Sequence, residues 1–293
     1  MQIDPVAVSV RVSRRLRRLV QYALVLVPAF AALSTNAVAG ITVFESAGPS
    51  PAAITPTRDA FRTAVGGGTA AGANGDFGGV RREINWDGVP DARSDPNALP
   101  ADFFNVNSPR GVVFSTSGTG FLVSANAGVA PVLFGFPSDL QTFSAQRLFA
   151  PVGGRTTNIN FFVPGTTTAA TTSAFGVIFV DLENNDAVDF TKVEFFDPNN
   201  KLIFSRTGLV AGNQGLTFLG GVANAGERIA RVSITTPNNF LLANGSRLNE
   251  TNDFVVMDDF LYATPAAAVP EPEVWAMALL GLGMLGWKIR KRA

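Results

Sequence analysis

From Gly111 to Ala263 the chain repeats one pattern, in which short apolar runs, many alternating with polar positions, lie between breaks rich in Gly, Asn, Asp, Pro and Thr. A period of two sends successive side chains to opposite faces, so these runs read as strands. They cover residues 112–115, 121–124, 132–136, 147–150, 158–163, 174–181, 191–206, 215–221, 229–235 and 254–263. In the run at 229–235, Ala230, Val232 and Ile234 alternate with Arg231, Ser233 and Thr235. One face is therefore buried and the other wet, as in an antiparallel sheet. Two hairpins are predicted. The first joins 112–115 to 121–124 through Thr-Ser-Gly-Thr-Gly. The second folds 191–206 about Asp197-Pro198-Asn199-Asn200, the residues a type I turn with a following bulge requires. Helical periodicity is almost absent, so the fold class expected is all-β, an antiparallel β-sandwich or jelly-roll-like body. No internal repeat or clean linker divides it, and its length suits one domain.

The earlier part of the body is less regular. A short strand, ITVFESA, opens it at Ile41, and residues 56–65 predict one or two helical turns capped by Thr55 or Thr57, with Asp59 in the first turn. The Gly-rich run at 66–79 has loop composition; it lacks the strand before and the long helix after that a phosphate-binding loop needs. Residues 81–91, RREINWDGVPD, offer two readings. Trp86 and Asp87, with Asn85 and Asp91, form a candidate ligand-facing group, or Trp86 packs in the core and Asp87-Gly88 is turn chemistry.

Both ends differ from the body. Residues 1–39 carry five arginines, then an apolar segment, then Ala37-Val38-Ala39 before Gly40, the pattern of a cleavable secretory signal peptide. An uncut anchor is the alternative. The last stretch, 269–293, has three parts in order: Pro270-Glu271-Pro272, an uncharged run from Val274 to Trp287, and a basic tail of Lys288, Arg290, Lys291 and Arg292. The prolines hold the triplet extended, as a peptide recognised in a groove would be. The apolar run is short for a span of about 20 residues, but Trp275 and Trp287 are interfacial residues and Lys288 can snorkel. The basic tail holds the terminus on the cytoplasmic side and leaves the body outside. A buried terminal helix is the alternative, disfavoured by the glycines of GLGMLG.

This tripartite stretch resembles the PEP-CTERM sorting signal of Gram-negative bacteria. The resemblance implies export across the inner membrane by the secretion machinery, transient anchoring there through the C-terminal segment, and processing near the triplet by exosortase. The boundaries expected are a signal peptide at 1–39, an exported domain at 40–268 and a sorting signal at 269–293. The strands from 174 to 265 are also similar to the β-rich bodies recurrent among PEP-CTERM proteins and to jelly-roll modules of extracellular and carbohydrate-binding proteins. That likeness implies a matrix or binding module and names no ligand.

Composition narrows the chemistry. The whole chain has 23 basic and 23 acidic residues; the two ends hold nine basic and three acidic, leaving 14 against 20 in the body. An acidic exported body argues against nucleic acid as a partner. With no Cys, stability must come from the core or from bound ions. With no His, histidine bases, catalytic triads and zinc sites of the His or Cys type are excluded. Among 29 aromatic residues 24 are Phe, so the Trp and Tyr platforms that stack on sugars are scarce.

Two acidic clusters remain. Asp181, Glu183 and Asp186 follow one strand with Asn184 and Asn185, and Asp258 and Asp259 lie within the last. Oxygen-rich loops at strand ends suit Ca²⁺, so these five are candidate ligands of a structural calcium, although the spacing is not that of an EF-hand. The alternatives are a solvated turn for the first cluster and, for the second, carboxylates bonded to neighbouring loops. Glu183 with Asp258 or Asp87 is the pair a carboxylate-based glycoside hydrolase would use. The expectation is an exported, non-enzymatic structural or interaction protein of the cell surface or exopolysaccharide matrix; a calcium-dependent carbohydrate-binding module and a hydrolase are the alternatives.

Overall fold

The computed structural model describes residues 40–126 and 132–267, together with Leu279. The strands are β1 (Ile41–Gly48), β2 (Asp76–Phe77), β3 (Arg81–Ile84), β4 (Val112–Ser115), β5 (Gly120–Val123), β6 (Phe149–Val152), β7 (Thr156–Phe161) and β8 (Ala170–Thr171). They continue with β9 (Ala174–Val180), β10 (Lys192–Phe196), β11 (Leu202–Thr207), β12 (Leu216–Ala223), β13 (Arg231–Thr235), β14 (Val256–Ala263) and β15 (Ala266–Ala267). Among the described residues two α-helices accompany them, α1 (Pro51–Val65) and the single turn α2 (Phe103–Val106).

These strands build an antiparallel β-sandwich. The larger sheet runs β1-β12-β9-β14-β3-β2, with β6 paired to β14 and β5 to β6; the smaller runs β11-β10-β13-β7-β4. Phe175, Val177 and Phe179 of β9 and Met257, Phe260 and Tyr262 of β14 face inward, against Val193, Phe195, Val232, Ile234, Ile159 and Phe161 of the smaller sheet. The phenylalanine bias serves this interior, where rings meet edge to face, as Phe175 and Phe195 do at 6.3 Å. At one edge the two sheets are tied by Arg206 and Glu45, a fork-to-fork pair joining β11 to β1.

The larger sheet is buried on its outer face too. There Ile178, Val180, Phe218 and Leu261 pack with Ile54 and Phe61 of α1 and with Phe134, Leu140 and Leu148. This explains AFGVIFV, an unbroken apolar run where a half-wet strand would alternate. Helix α1 comes close because Gly176 and Gly220, paired across β9 and β12, leave a trough for Phe61. A Cβ on Gly220 would stand 2.8 Å from that ring. Arg81, buried on β3, donates to the Gly66 and Gly68 carbonyls past the end of α1 and to Glu83, which also receives Arg62. The open carbonyls there thus gain cationic donors.

Several expectations change. Helix α1 is longer than the two turns predicted: Ser50 is its N-cap and Pro51 stands at its start, where a missing N–H costs nothing. Asp59 lies mid-helix beside Arg62, not in the first turn. Strands β4 and β5 form no hairpin, since β4 pairs with β7 in the smaller sheet and β5 with β6 in the larger. The break between them crosses the sandwich, and Gly118 passes so near the Val152 carbonyl that a Cβ would sit 2.1 Å from it. Residues 132–136 are a tight turn with Leu133 and Phe134 at φ of 49° and 55°, burying Phe134 as a plug. Composition does not separate such a plug from a strand. The hairpin at 191–206 is as predicted, with the Asn200 N–H donating to the Asp197 carbonyl, Asn200 at φ 60° and a bulge in β11 at Ile203.

Gly220→Ala is expected to destabilise the protein by about 1–3 kcal/mol through overpacking against Phe61. Denaturant unfolding of Gly220→Ala, Phe61→Leu and the double variant checks this, the pair losing less than the two single losses together because they share one space.

Candidate metal centre

Strands β9 and β14 are antiparallel neighbours, with Val180 opposite Val256. That register brings the loop leaving β9 alongside the residues entering β14. At the first position past β9 the chain turns sharply, with Asp181 at φ 69°, a conformation Asp tolerates better than bulky residues. The Asp181 N–H donates to the Gly215 carbonyl, and its Oδ1 accepts from the Gln214 N–H at 2.8 Å. Leu182 then plunges into the core and Glu183 returns to the surface. From the other loop, Asp253 Oδ2 accepts the Glu183 and Asn184 N–H groups at 2.8 and 3.1 Å. The Asp253 N–H in turn donates to Asp189 Oδ2 at 3.0 Å.

Asp181, Glu183 and Asp253 therefore converge, each offering a carboxylate oxygen within 4.8 Å of the others. Burial pushes Asp181 up to about 8, the charges of Asp253, Glu183 and Asp139 adding to it and the Gln214 amide opposing. Asp253 rises to about 6 for the same first reason, with Glu183 and Asp189 contributing. Among the described residues no Lys or Arg forms an ion pair with any of the three. Oxygen donors set this close are able to share one cation.

Asp186 is not a member of this group. Its Oδ1 accepts the Val188 and Asp189 N–H groups and its Oδ2 the Asn184 amide, so it closes its own turn; these bonds hold its carboxyl below the usual range. The third carboxylate of the group is instead Asp253, which the sequence reading missed. Its signal was the Asn-Asp pair directly before the apolar run of β14, meaningful only once β9 and β14 are known to be neighbours.

Asp258 and Asp259 lie elsewhere and do different work. Three steps along β14, from Met257 to Phe260, face two steps of β9, so the Asp pair forms a bulge. Both side chains are buried, at 0% and 4% exposure. Asp258 Oδ2 accepts the Phe143 N–H at 2.6 Å, and the Ser144 hydroxyl lies 3.1 Å from Asp258 Oδ1 and 2.7 Å from Asp259 Oδ1. Asp87 holds the other end of the same loop, its Oδ1 accepting the Gln146 and Arg147 N–H groups. These carboxylates bond a neighbouring loop and are no part of the acidic triad. Trp86 is not a ligand platform either. It is 1% exposed, stacks on Phe149 at 4.2 Å and donates its indole N–H to the Asp258 carbonyl, because its turn points the ring inward. Of the two readings of this stretch, the packed core is the observed one.

Clefts of about 340, 350 and 630 Å³ open on the surface, and none is lined by a residue of the triad. The sorting triplet Pro270, Glu271 and Pro272, the flanks Trp275, Trp287, Lys288, Arg290, Lys291 and Arg292, and the signal segment at 1–39 lie outside the described residues. No helix among the described residues is long and apolar enough to cross a membrane.

The fold is thus an all-β sandwich with an acidic metal-competent loop cluster. Residues 268–292 match the PEP-CTERM protein-sorting motif. The chain thus carries a PEP-CTERM sorting motif, which implies an exported protein targeted to exosortase and transiently anchored by its C-terminus. No curated protein matches it. One solved structure, the enzymatically active domain of bacteriophage CBA120 tailspike protein 4, is similar at 15% identity and a TM-score of 0.21 over 57% of this chain. The chain spans about a fifth of that structure's length, and the likeness carries no argument.

Burial raises the carboxyls of Asp258, which the nearby Asp259 charge pushes further, and of Asp259. The native pair then holds protons that the unfolded chain releases above the ordinary carboxylate value, so stability falls as pH rises through that window. Asp258→Asn keeps an acceptor for the Phe143 N–H and is expected to flatten this fall in thermal melts between about pH 5 and pH 9. Asp258→Ala leaves that N–H orphaned and is expected to cost about 1–3 kcal/mol at every pH.

Proposed function

We propose that this protein is a non-enzymatic structural or interaction component of a Gram-negative cell surface or exopolysaccharide matrix, delivered by secretion and released or displayed after exosortase trims its C-terminus. The observation that carries this reading is the sorting motif at 268–292, joined to a sandwich whose loops are free to contact partners. The burial of Asp258 and Asp259 supports a non-catalytic reading of that pair, since a polysaccharide has no access to them. A second reading, a divalent-cation-dependent carbohydrate-binding module, is favoured by the triad itself.

Intact mass of the exported form tests the first reading. The expected mass corresponds to a chain starting near Gly40 and ending between Pro270 and Glu273. Replacing Pro270, Glu271 and Pro272 with Ala is expected to leave the C-terminal segment attached and the protein in the membrane fraction. An untrimmed wild-type chain in the cytosol overturns the proposal. Glycan arrays separate the second reading: binding that saturates and disappears with chelator favours the carbohydrate module over a purely structural role.

A further inference from the structure

We infer that Asp181, Glu183 and Asp253 bind one Ca²⁺ ion that clamps the loop leaving β9 to the loop entering β14. Convergence of acids alone does not make a site, and a second observation points to a ligand. Asp253 is 8% exposed, and while its Oδ2 is occupied by two backbone N–H groups, its Oδ1 is buried with no donor at all. A buried carboxylate oxygen without a partner is costly, and a cation meets that need directly.

The remaining oxygens fit the same picture. Asp181 engages only Oδ1, through Gln214, and Glu183 makes no side-chain hydrogen bond or ion pair among the described residues. Each acid thus keeps at least one oxygen free for an ion. The donor set is all oxygen, which selects Ca²⁺ or Mg²⁺ over softer metals. Ca²⁺ tolerates the irregular geometry of a loop cluster, whereas Mg²⁺ demands a near-ideal octahedron and keeps several waters, so three protein carboxylates within 4.8 Å suit the larger ion. Neutralising three clustered acids also explains why the fold tolerates burying Asp181 and Asp253 with no arginine beside them.

The clamp joins elements that are otherwise held by few bonds. Asp253 already receives the Glu183 and Asn184 amides, and Asp189 receives the Asp253 and Asn238 amides. An ion at the triad adds rigidity to this end of the sandwich without touching the core. The affinity class expected, about 10⁻⁴–10⁻³ M, is that of extracellular modules. That figure rests on the export reading; the site itself does not, because it is measured on purified protein.

The test uses the full chain purified in detergent, with calcium alone as the probe. Calorimetric titration is expected to give saturable binding of one Ca²⁺. At about tenfold excess over Kd the melting temperature is expected to rise by about 3–6 °C relative to chelator. Glu183→Gln, at an exposed position that leaves folding intact, is expected to weaken binding at least tenfold while melting in chelator at or above the wild-type temperature. Asp253→Asn is expected to abolish the calcium response. The inference is overturned if wild type shows no heat and no shift in millimolar calcium, if both variants respond as wild type does, or if Mg²⁺ gives the same shift at the same concentration. Trimming of the sorting signal is read separately by mass, so a failure of either idea leaves the other visible.

Discussion

Strands β9 and β14 are buried on both faces, and the rest of the architecture answers to that. A strand with no wet face cannot alternate, so β9 is wholly apolar and its polar needs are displaced to its ends. Every carboxylate drawn to those strands must then find donors inside the protein, because water is excluded. The bulge of β14 meets this with the Phe143–Ser144 segment, and the exit from β9 meets it with backbone amides. Helix α1 covers what the smaller sheet does not, and it sits close only where two glycines open the trough for Phe61. With no cysteine in the chain, this two-sided packing is what replaces disulfide closure in an exported fold.

Much of the architecture was legible because it depends on local rules. The period of two gave β10, β13 and the alternation in β7, and the Asp-Pro-Asn-Asn turn gave the hairpin with its bulge. What the sequence did not disclose was long-range. Residues 112–124 have the look of a hairpin, yet their two strands serve different sheets, a choice made by partners far along the chain, from Val123↔Phe149 to Val112↔Phe161. The plug at Phe134 and the helix from Pro51 were missed for a related reason: each is specified by the outer face it covers. Pro51 at the helix start was a local signal, outweighed by the Gly- and Pro-rich composition around it.

The site divides along the same line. Asp181 and Glu183 were recognisable as oxygen donors at a strand end, but their partner Asp253 lies about 70 positions away and becomes a neighbour only through the β9–β14 register. Asp186, adjacent in sequence, is excluded because its own turn satisfies it first. Local hydrogen bonding thus consumed the nearer acid and left the distant one unpartnered. Asp87, Asp258 and Asp259 followed the first course as well, all pinning the 143–147 loop.

Export and the acidic cluster bear on each other physically. With no ion at the triad, burial and the neighbouring acid charges favour the neutral carboxyls of Asp181 and Asp253. A calcium ion bound there, as proposed, would displace protons and turn the mutual repulsion of the acids into attraction to a common centre. The loops at this end of the sandwich would then be firmest in the place to which the sorting motif sends the chain. The two features are separate in sequence and in chemistry, but an acid cluster with no basic partner is costly to keep in a calcium-poor compartment and inexpensive beyond it.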